Sequence, residues 1–280
     1  MRELRQWLSR EPLSACAVMM VVYQLCNNGC SLLLRALPED GVWAVLRLVI
    51  DLLWPAALAV MGGYGWVLWH RGLWRTLRVG GLLFFLMALA FGSTLVTALA
   101  EETTPWLPPS GILLGAASLL VRAFQEEVVF RGILCNAIGE RYLVDTRGVW
   151  FTAIVSGAVF GAMHLFNILG GMAPLSALVQ AVVAWAMGAV FAAVYLRGGN
   201  LWAVVLIHAL MNANSLFSAT FTSADTPLAL LNRLTAANLA PLMLFLPLLV
   251  WLLRPSRCRR VVAVFARRRG QRTEGLVWER

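Results

Sequence analysis

Long apolar runs, broken at intervals by short polar segments, set the pattern of this chain. Eight of them approach or exceed the ~20 residues a helix needs to cross a hydrocarbon core: 13–34, 43–69, 79–99, 111–139, 147–169, 174–196, 199–218 and 236–253. They are too long for barrel strands, and helices satisfy every backbone group within lipid. Gln24, Asn27 and Asn28 interrupt the first run. That run follows basic residues, as a signal peptide's apolar stretch would. It continues through Leu34 without a small-residue cleavage site, so it reads as a retained first helix. The expected fold is an all-α membrane protein, a bundle of about eight transmembrane helices. One multi-pass domain covers 1–253 and a basic tail covers 254–280.

Composition agrees. Hydrophobic residues make up 60% of the chain and charged residues 13%, against roughly 45–50% apolar in soluble domains. This excludes a soluble enzyme and a disordered or fibrous chain. The net charge of +9 comes mostly from the tail, where nine Arg face two Glu, so it does not describe a nucleic-acid-binding surface. Arg2, Arg5 and Arg10, then Arg71, Arg75 and Arg78, then Arg141 and Arg147, then Arg197 and the tail occupy alternate connections. The intervening ones carry Arg35 with Glu39 and Asp40, Glu101 with Glu102, Gly170 with Gly171, and Asp225 with Arg233. With eight spans every Arg-rich segment falls on one side, which places both termini in the cytoplasm. An all-Arg, Ala- and Trp-rich chain suggests a bacterial inner membrane. Residues 261–266 form either an amphipathic stretch on the inner leaflet or part of a solvated tail, and anionic lipid is the expected partner of the basic tail. Cys16, Cys26, Cys30, Cys135 and Cys258 form no spaced framework and read as small apolar fillers.

Ionisable side chains at membrane depth call for a partner or a function. Arg47 and Asp51 are four apart and can pair. The run 111–139 holds Arg122, Glu126, Glu127 and Arg131, and two later runs hold His164 and His208. At 1.5 Å per residue, Glu126, His164 and Asn212 fall about 20–25 Å from the basic side, near one level. Adjacent Glu126 and Glu127 point about 100° apart. Glu127 precedes Arg131 by one turn and can neutralise it, which leaves Glu126 for a pocket. Arg122, one turn before Glu126, would weaken it as a base if the two paired. Phe160 shares a face with His164, and His208 with Asn212. The stripes Ala153, Gly157, Gly161 and Ala184, Gly188, Ala192 would let helices approach closely. A polar cavity near the bilayer midplane is the expected result.

Three motifs now stand in order: Glu126-Glu127-Val128-Val129-Phe130-Arg131 as EExxxR, Phe160 to His164 as FxxxH, and His208 to Asn212 as HxxxN. The pattern, with a motif core over 110–217, resembles the CPBP family of intramembrane proteases, which includes CAAX prenyl endopeptidases and bacteriocin-processing Abi proteins. The resemblance implies an intramembrane endopeptidase acting on a membrane-associated protein or peptide. It implies that Glu126 and His164 activate water, that His208 and Asn212 stabilise the oxyanion, and that Glu127 and Arg131 support them. It favours a glutamic-type enzyme without cofactor; were zinc used, Glu126, His164 and His208 would be its ligands. The alternative is a non-catalytic polytopic protein of the same fold (a transporter, an immunity protein or a scaffold), against which stands the lack of an inverted repeat. HExxH, a Gly-x-Ser-Gly nucleophile and a pair of membrane aspartates, the marks of other intramembrane proteases, are missing.

Overall fold

The computed structural model describes residues 2–34 and 41–277, with the side chains of residue 2, of 30–34 and from 268 onward left aside. Arg35, Glu39 and Asp40, and the side chains of Cys30 and the distal tail arginines, lie outside it. The described residues are helical, apart from connections and one antiparallel bridge between Trp106 and Thr222. In chain order the helices are α1 (Arg2–Arg10), α2 (Pro12–Leu34), α3 (Gly41–Met61), α4 (Leu73–Val79), α5 (Gly81–Ala100), α6 (Pro109–Glu127), α7 (Asn136–Tyr142), α8 (Thr146–Met163), α9 (Pro174–Gly198), α10 (Leu201–Ser215), α11 (Phe217–Phe221), α12 (Pro227–Asn232), α13 (Leu242–Leu252) and α14 (Pro255–Val277). A π-helical segment, Val128–Cys135, joins α6 to α7, and a 3₁₀ turn, His164–Gly170, extends α8.

Among the described residues four helical stretches are long and apolar enough to cross a membrane: Gly41–Met61, Gly81–Ala100, Thr146–Gly170 and Pro174–Gly198. A fifth is reached if Ala236–Leu252 and Pro255–Arg267, bent by 64°, count as one span. This is fewer than the eight apolar runs, and the reasons are local. The run 43–69 stops at Met61, where Gly63 turns the chain at φ +74°, and the run 199–218 yields a 15-residue helix, about 22 Å long. The run 111–139 is loaded with charge and changes helical type midway.

The bundle is built around α9, whose residues from Ala186 to Leu196 are buried almost without exception. α8 lies directly on it. A Cβ on Gly157 would come 2.6 Å from Ala189 N and Trp185 O, and one on Gly161 2.5 Å from Ala181 O, so only glycine permits this approach. α5 and α13 are peripheral and turn Phe85, Leu89, Leu99, Met243 and Val250 outward, as lipid-facing helices do.

The basic connections gather at one end of the bundle. Arg75 donates to Gly198 O through Nε at 3.0 Å and Nη2 at 2.6 Å, tying α4 to the end of α9. Arg5 meets Glu140 at 3.4 Å, and Trp150 Nε1 donates to Leu253 O at 3.1 Å. Asp145 caps α8 by accepting from Gly148 N, and Asn200 caps α10 by accepting from Ala203 N.

Candidate active site

The chemistry-bearing side chains are placed by α6 and its π-helical continuation, by the end of α8, and by α10, each of which packs on another motif helix or on α9. A π turn widens the helix by one residue and loosens its ladder. Here side chains take up the slack: Ser156 Oγ donates to Phe130 O at 3.2 Å, and Asn136 Nδ2 reaches Arg131 O at 3.1 Å and Gly132 O at 2.8 Å. Asn136 also bonds Tyr195 Oη on α9 at 2.8 Å, fixing the segment to the core.

Arg131, carried by that segment, is wholly buried, as is Glu127. Its Nη1 donates to Glu127 Oε1 at 2.9 Å and its Nη2 to Gly188 O at 3.1 Å. The guanidinium lies over Phe160 (4.5 Å) and Phe191 (5.5 Å), a stacking that suits a weakly hydrated planar cation. The expected Glu127–Arg131 pair is therefore present. Gly188, expected only as a packing residue, supplies a carbonyl that Arg131 needs.

Glu127 does more than neutralise Arg131. The same Oε1 meets His208 Nδ1 at 2.8 Å, and His208 Nε2 faces Glu126 Oε2 at 3.5 Å. One imidazole thus bridges both glutamates. Against an ionised Glu127, Nδ1 carries the proton, so Nε2 is the nitrogen left for chemistry. Phe160 and Phe191 stand edge-on or tilted to the His208 ring at 5.8 and 5.2 Å and wall it from lipid.

His164 sits where α8 tightens into its 3₁₀ turn. Its Nδ1 donates to Phe160 O at 2.9 Å, which leaves Nε2 with its lone pair in the neutral ring. Glu126 and His208 are both within electrostatic range of it. Asn212, half-buried one turn beyond His208, hydrogen-bonds to none of the other candidates through its side chain. Among the described residues no three His, Cys, Asp or Glu side chains gather as a metal-holding group.

Arg122 approaches Glu126 Oε1 at 3.7 Å with more than half of its side chain exposed. Asp51, expected to pair with Arg47 alone, lies in the field of both Arg122 and Arg47. The site therefore borders a second polar group on α3 and α6. Sequence spacing missed three participants: Asn136, the Gly188 carbonyl and the Glu127–His208 contact. An amide inside an apolar run was the available signal for Asn136; the other two depend on packing between distant helices.

No curated protein and no solved structure matches the chain. Residues 108–214, which run from the start of α6 almost to the end of α10 and contain all seven motif side chains, match the family model for type II CAAX prenyl endopeptidases, Rce1-like, the group that the three motifs resemble.

Proposed function

We propose that this integral membrane protein is an intramembrane endopeptidase that hydrolyses a peptide bond of a membrane-associated protein or peptide. The observation that carries the reading is the bridge of His208 between Glu126 and Glu127, since it brings α6 and α10 motif groups to one buried point. Glu126, assisted by His164 Nε2, takes a proton from water as it attacks the scissile carbonyl, and returns it to the departing amine as the C–N bond breaks. A carboxylate or imidazole so placed contributes about 10²–10⁴-fold. His208 and Asn212 stabilise the oxyanion. With Nδ1 committed to Glu127, His208 donates there only as imidazolium, through Nε2. Arg131 and Glu127 act as positioning residues: they fix the ring and its tautomer, as a carboxylate does behind a catalytic histidine. The water occupies a hydrated hollow between α6, α8 and α10.

Glu126→Gln, His164→Ala and His208→Ala should each lower cleavage of a membrane-tethered peptide reporter by at least 10²-fold, while membrane insertion and protein level stay unchanged. Full turnover by Glu126→Gln would refute hydrolysis at this site.

A further inference from the structure

Arg197 stands in the last turn of α9, far along the helix from the motif side chains. Its Nη1 is buried and has no hydrogen-bond partner among the described residues. An arginine in a last turn ordinarily serves the free carbonyls there, but Arg75 already holds Gly198 O with two nitrogens. Among the described residues the groups whose charge acts on Arg197 are Arg257, Arg260 and Cys258, with no carboxylate. Arg257 is held in place: its Nη1 donates to Trp251 O at 2.7 Å, and its guanidinium lies 3.7 Å from the Trp251 ring centre. Cys258 is buried with Sγ on Leu253 O, which anchors the first turn of α14 against the bundle. Where α14 packs on α9, three cations thus act on one another, one with an N–H that lacks an acceptor among the described residues.

The neighbouring surface says what kind of anion fits. On α13, Met243, Leu246, Val250 and Trp251 follow at spacings of three, four and one, so they share a face, and all are exposed. That apolar stripe leads down to Trp251 and the arginine stacked upon it. A tryptophan beside basic residues at a helix end is a membrane-interface arrangement, and basic pockets between helices at one membrane surface suit phosphate headgroups. A free phosphate would use the arginines but leave the stripe without a role.

We propose that Arg197, Arg257 and Arg260 bind the phosphate of an anionic membrane phospholipid whose acyl chains lie along α13. The phosphate oxygens would supply the acceptor that Arg197 Nη1 lacks and offset the mutual repulsion of the three side chains. The site lies on α9 and α14, outside the proteolytic groups.

The test is lipid retention by the full-length chain in detergent, read by native mass spectrometry, with titration of phosphatidylglycerol against phosphatidylcholine. Phosphatidylglycerol should stay bound and phosphatidylcholine should not. Arg197→Gln should weaken binding about fivefold or more, and so should Arg260→Gln, an exposed position whose substitution spares the fold. Arg267→Gln, exposed further along α14, should change nothing. Equal retention by Arg260→Gln and the parent would overturn the site. Displacement of the lipid by millimolar inorganic phosphate would overturn the phospholipid assignment.

Discussion

Arg131, wholly buried beside α9, and Arg197, half-buried in the last turn of α9, differ throughout in their surroundings. Arg131 has a carboxylate, a backbone carbonyl and two aromatic faces. Arg197 has two further arginines and a buried nitrogen without an acceptor. A charge in an apolar interior persists when its counter-charge comes with the fold, and the first cluster has one in Glu127, although Arg131 Nε and Glu127 Oε2 are buried without a hydrogen bond among the described residues. The second has no carboxylate among the described residues, which marks it as a place for an anion from outside the cluster. The same contrast separates Glu127, whose Oε1 is held by Arg131 and His208 at 2.9 and 2.8 Å, from Glu126, which has only longer contacts at 3.5 and 3.7 Å. Looser partners are what a proton-transferring carboxylate needs.

Substitutions can break this contrast. The largest effect on stability is expected at Arg131. Arg131→Ala strands the Glu127 carboxylate in a dry interior and should cost about 3–5 kcal/mol, seen as loss of folded protein in a detergent thermal-stability assay. Arg197→Ala should leave the melting temperature of delipidated protein close to that of the parent; an equal loss at both positions would erase the distinction. Next comes Asn136→Leu, which removes the amide from two carbonyls of the π segment and from Tyr195. A cost of about 1–3 kcal/mol is expected, together with a drop in kcat, because the segment carries Arg131. The smallest effect belongs to Arg122→Gln. Its ion pair with Glu126 is long and its side chain exposed, so less than a tenfold change in kcat/KM is expected, about 1.4 kcal/mol. A 10³-fold loss would place Arg122 in the machinery alongside Glu126.

Much of the architecture was legible in the chain. The glycine stripe on α8 and its counterpart on α9 read as a close helix contact, and backbone distances around Gly157 and Gly161 leave no room for anything larger. The Glu127–Arg131 pair followed from helical spacing alone, because both partners lie on one element. His208 could not be assigned to Glu127 by that logic, since the contact joins residues 81 positions apart. Four or five of the described helices are long and apolar enough to span where hydropathy offers eight runs, for a related reason. Apolar composition does not reveal where a helix ends, and Gly63 or the charges of α6 end or alter runs that hydropathy treats as continuous. The basic connections read as one-sided, and the contacts among α4, α7, α8, α9 and α14 do bring them to one end.

The π-helical stretch Val128–Cys135 makes chain length itself part of the site. Its extra residue sets the angular phase between the glutamates upstream and the anchoring amide downstream. Were the segment to tighten to ordinary α geometry with all its residues kept, everything before it would swing by about 100°. Glu126 and Glu127 would then face away from His208 with every motif letter still in place.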